Sequence, residues 1–172
     1  MMKHSNFEIT EWASDILDAS PFTLYDIVFE INTPIVDGFN KKISAFHPLA
    51  VCKVYKALDW TIDTIRRVHK DKEKHLKFIA WIGGNTEQDK HPHIHSILEM
   101  PYDDILSYEI LIHRHFQKYI EKTLKQSVMT NVSIREIDNV KGYSFYCSRN
   151  EGEYSLKGDE KILIEKLSSI EI

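Results

Sequence analysis

Two cysteines without a Cys-x-x-Cys spacing do not suggest a disulfide framework, so Cys52 and Cys147 fit reduced thiols in a cytoplasm-like compartment. No uninterrupted apolar run approaches the roughly 18 residues of a membrane span. The N-terminus, Met1 to Asn6, is followed by acidic and mixed residues where a signal peptide needs an apolar stretch, so export is not indicated. Positive charge is not in excess either. Lys and Arg number 22 against 26 Asp and Glu, a formal net charge of -4, which argues against a protein that coats nucleic acid non-specifically. A local site on such a chain remains compatible with that balance.

What is present is one ordinary domain: 172 residues can bury a core without staples. Residues 1–21 form an N-terminal extension, where Phe7, Ile9, Trp12, Ile16 and Leu17 recur at helical spacing behind Thr10 as cap. The domain proper spans residues 22–150, and residues 151–172 form a tail, with a short helix expected over 162–167. Leu24 to Ile31 alternates, setting Ile27, Phe29 and Ile31 against Asp26, Val28 and Glu30, the pattern of a first strand. Thr33 to Pro48 reads as loop.

From Leu49 the period lengthens. Val51, Val54, Leu58, Ile62 and Ile65 recur in steps of three and four, a helix packed by one face with Arg66 and Arg67 at its end. Lys77 to Ile82 is apolar on both faces, as in a central strand, and Gly83-Gly84 ends it. The turn 85–90 leads into a second strand that pairs with it antiparallel. Asp103 caps a second long helix carrying Ile105, Ile112, Phe116, Tyr119 and Ile120, with His113 and His115 read as surface residues. Val128 to Ile137 is a last strand, and 142–150 a last helix. The order predicts an α+β fold: a central antiparallel sheet of about four to five strands with packed helices.

The chemistry concentrates in His91-Pro92-His93-Ile94-His95-Ser96-Ile97-Leu98-Glu99. Alternate strand residues share a face and lie roughly 6.6 Å apart along it, so His93 and His95 can both reach one metal ion while Ile94 enters the core. Asp26 and Glu30 on the first strand either border that site or form a solvated face. Two basic stretches, Arg66 to Lys77 and Arg114 to Lys125, read as solvated helix ends or as nucleic-acid contacts; Arg66, Arg67 and Lys141 are the candidate DNA contacts.

The histidine run resembles the metal-binding motif of the HUH endonucleases, the rolling-circle replication initiators, relaxases and related transposases. Tyr146-Cys147-Ser148-Arg149 is similar to the tyrosine motif of the single-tyrosine initiators, in which lysine usually stands three positions after the tyrosine. The resemblance covers residues 22–150 and implies an HUH/Rep-like sandwich, related to the RRM fold, with strand, histidine strand and tyrosine helix in that order. It implies site-specific nicking and joining of single-stranded DNA at a replication origin, beginning rolling-circle replication of a viral or plasmid replicon. A phenol can hold the cut phosphate as a covalent 5'-phosphotyrosine. A divalent metal, Mn²⁺ or Mg²⁺, polarises the phosphate.

In these terms Tyr146 is the nucleophile, and Arg149, one helical turn on, supplies charge without acting as a general acid. Tyr143 is the rival nucleophile; Tyr143 and Phe145 are otherwise helix-packing aromatics. His93 and His95 hold the metal, with Glu87 as third ligand and Asp89, Gln88 or His91 as alternatives, because Asn85 stands where the family commonly has its acid. No Walker-type loop is visible, so a separate helicase is implied. The competing readings are a small HUH transposase, a DNA-binding replication regulator with weak catalysis, and a metal enzyme unrelated to nucleic acid.

Overall fold

The computed structural model describes residues 23–43, 48–68, 78–83, 93–100 and 105–149, together with Glu11, Ser14, Asp15 and Leu17. Its elements follow the chain as β1 (Thr23–Ile31), α1 (Pro48–Val68), β2 (Phe78–Gly83), β3 (His93–Met100), α2 (Ile105–Leu124), β4 (Thr130–Glu136) and α3 (Val140–Arg149). The four strands form one sheet in the order β2-β3-β1-β4, and every neighbouring pair is antiparallel. This is the α+β architecture that the alternation of periods predicts. The expected N-terminal and C-terminal helices, at 7–20 and 162–167, lie wholly or mostly outside the described residues.

Strand parity divides the side chains between two layers. Tyr25, Ile27, Phe29 and Ile31 of β1, Ile94, Leu98 and Met100 of β3 and Val132 of β4 are buried beneath α1 and α2. The helices answer with Val54, Leu58, Ile62 and Ile65 from α1 and Ile112, Phe116 and Ile120 from α2, the stripes read from their spacing. Phe29 and Phe116 meet at 4.7 Å between ring centroids. Each such fully buried side chain contributes roughly 1.5–3 kcal/mol. Ser96 intrudes on this layer, but its hydroxyl donates to the Ile27 carbonyl at 2.8 Å and so carries no desolvation debt.

The opposite face holds a smaller cluster of Leu17, Leu24, Ile79 and Ile97, with Ile137, Val140 and Tyr143 packed against it. Helix α3 therefore covers the sheet face away from α1 and α2. Asn139 opens this helix: its side-chain oxygen accepts from the Gly142 amide at 2.9 Å, satisfying one of the donors a helix start leaves free. Phe145 is an exception to the packing expectation. It is half exposed, because the helix turns that position outward.

The α2–β4 connection is tied by polar side chains. His113 Nε2 lies 3.0 Å from the Thr130 carbonyl, and Gln117 donates to the Val128 carbonyl at 2.6 Å. His113 is thus a half-buried link between helix and strand, correcting its surface assignment; His115 is also half-buried, stacked on Tyr119. Between them and β4, Lys125 ends α2 in the left-handed region at φ 57°. Among the described residues no helix is long and apolar enough to cross a membrane.

Candidate functional site

The period of β3 sends His93, His95, Ile97 and Glu99 to the face that α3 covers, while Ile94 and Leu98 go to the main core. The two imidazoles stand 5.1 Å apart between centroids, at 86° to one another. In the β1–β3 register Glu30 is directly opposite His93, Val28 opposite His95 and Asp26 opposite Ile97. The acidic face of β1 and the histidine face of β3 are therefore one surface.

Asp26 is not part of a solvated face. It is 3 % exposed, and its carboxylate accepts from Arg135 Nη2 at 2.7 Å, the residue opposite it on β4. The Tyr143 hydroxyl donates to its other oxygen. Glu30, half-buried, accepts from the Asn131 amide at 3.0 Å.

Tyr143 is the hinge of the arrangement. Its phenol has one proton, which goes to Asp26, and the same oxygen lies 3.3 Å from His95 Nδ1. An oxygen that has given its proton to a carboxylate can only accept from the ring, so Nδ1 carries the hydrogen and Nε2 the lone pair. Carboxylate, phenol and imidazole form a chain that selects one tautomer and turns Nε2 into a donor for a metal ion. Burial holds His95 below the ordinary imidazole range, reinforced by His93 and Arg135 and opposed by Asp26 and Glu30. The ring is thus neutral at neutral pH, as a metal ligand must be.

The site residues expected from sequence separate into three groups. His93, His95 and Tyr143 come together. Tyr146 and Arg149 lie in α3 one and two turns beyond Tyr143, about 4.5 Å and 9 Å along the axis, and their side chains fall outside the described ones. Glu87, Asp89 and His91 lie outside the described residues altogether. Lys141, in the first turn of α3, pairs with Glu11 at 2.7 Å. Arg66 and Arg67 end α1, beneath the other sheet face, where Arg66 is 3.9 Å from Asp63 and Arg67 donates to Thr64.

Arg135 and Asp26 as members of a polar chain through Tyr143 were not read from the sequence. The parity of β1 marks Asp26 for this face, but nothing in the spacing connects it to a tyrosine 117 residues later.

Among the described residues no three His, Cys, Asp or Glu side chains gather to hold a metal ion. His93 and His95 supply two nitrogen donors on one face, and the Nε2 lone pair of His95 is the kind of donor a divalent cation takes. A complete set needs an oxygen from elsewhere. No known family model matches the chain, and no curated protein matches it.

Proposed function

We propose that the chain is a metal-dependent enzyme that nicks and rejoins single-stranded DNA through a tyrosine nucleophile, in the manner of the HUH replication initiators. The observation that carries this is the meeting of the paired histidines on an inner strand with the tyrosine-bearing helix on the same sheet face, joined through Tyr143 and His95. Two imidazoles, that of His95 with its tautomer selected by Tyr143, next to a helix that carries two tyrosines suit phosphoryl transfer better than hydrolysis or oxygen chemistry, which would leave those tyrosines without a chemical role.

In this scheme the Tyr146 phenol loses its proton to solvent or a nearby base, and its oxygen attacks the scissile phosphorus. The bond from phosphorus to the 3'-oxygen breaks, and that oxygen takes a proton. The products are a 5'-phosphotyrosine and a free 3'-hydroxyl; joining is the reverse with a new 3'-hydroxyl. His93 and His95 hold Mn²⁺ or Mg²⁺ together with an oxygen ligand such as Glu87. When bound, the ion supplies Lewis-acid polarisation of the phosphate. Arg149 adds a fixed positive charge next to the nucleophile. Tyr143 aligns His95 and is not the nucleophile.

The substrate is a replication origin in single-stranded form, with unwinding left to a separate helicase and the host cytoplasm as the compartment. The experiment is incubation with a diverse pool of single-stranded oligonucleotides and Mn²⁺, read as a covalent adduct on a denaturing gel. The adduct disappears with Tyr146→Phe and with His93→Ala and persists, more slowly formed, with Tyr143→Phe. DNA binding without any adduct favours instead a replication regulator, the reading that Arg149 in the usual lysine position and Asn85 in the usual acid position support.

A further inference from the structure

On the side of the molecule away from the histidines, α1 and α2 run antiparallel, and their outer seam brings together basic stretches that stand far apart in the sequence. Trp60 of α1 and Tyr119 of α2 meet edge to face at 5.6 Å, both half-buried. Lys56 and Lys122, one from each helix, each lie 5.0 Å from the Trp60 ring centre. Lys118 stands 5.7 Å from the Tyr119 ring, and His115 stacks on it at 5.8 Å and 25°. Thr64 and Tyr119 share a hydrogen bond of 3.0 Å, and Arg67 donates to Thr64 at 3.0 Å, extending the seam to the end of α1.

We infer that this seam is a second nucleic-acid contact, which takes a single strand by stacking bases on Trp60 and Tyr119 and pairing phosphates with the surrounding lysines and Arg67. Rings interleaved with cations are what a single strand asks of a surface: every base has a face to stack, and every nucleotide a charge to neutralise. A duplex hides its bases and leaves the rings unused, and an acidic peptide has no flat partner for them. From Lys56 to Arg67 the stripe extends about 16 Å along α1, enough for a few nucleotides.

The local field has the required sign despite the net charge of the chain. Lys118, Arg114 and Arg67 all act on His115 to disfavour its charged form, adding to the effect of burial. Its Nδ1 is buried with no hydrogen-bond partner among the described residues. Of the acids on this part of α1, Asp63, one turn beyond Trp60, lies 3.9 Å from the Arg66 guanidinium, which offsets its charge, and Asp59 is about 100° round the helix from Trp60.

This contact does not depend on nicking, and its test omits metal so that cleavage plays no part. A labelled oligothymidylate is titrated with the full chain, and fluorescence anisotropy is followed over a range of salt concentrations. Lys56→Glu with Lys122→Glu weakens binding about tenfold or more and flattens the salt slope by about 1.4, the share of two phosphates on a single strand. Lys41→Glu with Lys42→Glu, an equal charge change on exposed lysines elsewhere, leaves the slope within about 0.5 of wild type. Circular dichroism establishes that both pairs fold, and Trp60→Phe, which keeps a ring, retains most of the affinity. No oligothymidylate binding by the wild type, equal effects of the two lysine pairs, or equal competition by polyglutamate overturns the inference. Failure of the adduct assay bears on the nicking site alone.

Discussion

Replacing Tyr143 by Phe removes one oxygen and keeps the ring, so it isolates the chain from Asp26 to His95. Two hydrogen bonds disappear: the phenol's donation to a carboxylate that is 3 % exposed, and the longer contact of 3.3 Å to His95 Nδ1 in a residue 8 % exposed. The first involves a charged acceptor and the second is weak, so the loss in stability is about 2–3 kcal/mol. For a domain of this size that lowers the melting temperature by about 4–12 °C. Asp26 keeps Arg135, which limits the damage to the tyrosine side. Urea denaturation measures the free energy, and titration with Mn²⁺ measures the second consequence, a fall in metal affinity of about 10–100-fold as His95 loses the partner that selects its tautomer. A double-mutant cycle with Asp26→Asn separates the chain from simple packing. Effects that add to within about 0.5 kcal/mol, or an unchanged Mn²⁺ affinity in Tyr143→Phe, refute the relay.

Acid sensitivity follows from the same ring. Because His95 binds its proton less readily folded than unfolded, its contribution to stability is complete above about pH 6.5 and is lost as the pH falls through the lowered value, with a slope of up to about 1.4 kcal/mol per pH unit. Metal-free denaturation at a series of pH values reads this slope, which His95→Gln removes. In the main core, Phe116→Ala costs about 3–5 kcal/mol, since Phe116 is fully buried against Phe29; calorimetry reads it, and a cost below about 1 kcal/mol contradicts the packing. Lys125→Gly raises stability by about 0.5–1 kcal/mol by relieving the left-handed backbone that ends α2, measured as a higher urea midpoint at constant m.

The main core was legible because it is periodic. Val54, Leu58, Ile62 and Ile65 on α1 follow steps of three and four, Ile27, Phe29 and Ile31 on β1 steps of two, as a buried helix or strand face imposes, and all are buried. The histidine strand was legible for the same reason, down to Ile94 facing inward. Polar links across the sheet left no such imprint. Asp26 reads identically whether water or Arg135 meets it, and Tyr143 reads as a packing aromatic because its apolar ring does pack, while its hydroxyl has separate partners. His113 failed as a surface residue for a related reason: one helical position looks outward along α2 and yet faces the start of β4. The seam of Trp60 and Tyr119 shows the same limit, since two solvated helix faces become a mixed surface only once the helices are set side by side.

Strand β1 serves two layers at once, odd positions filling the main core and even positions lining the histidine face. Its tolerance to change is therefore uneven. A substitution disturbs one layer and leaves the other its partners, and drift can be repaired locally. An inserted or deleted residue within Leu24–Ile31 reverses the assignment beyond it, driving Asp26 or Glu30 into the aliphatic layer and exposing Ile27 or Phe29 on the polar one. Lineages of this chain should thus vary in β1 by replacement and keep its length, while the exposed turn at 38–42, beyond the buried Ile35, is where length can change without disturbing either layer.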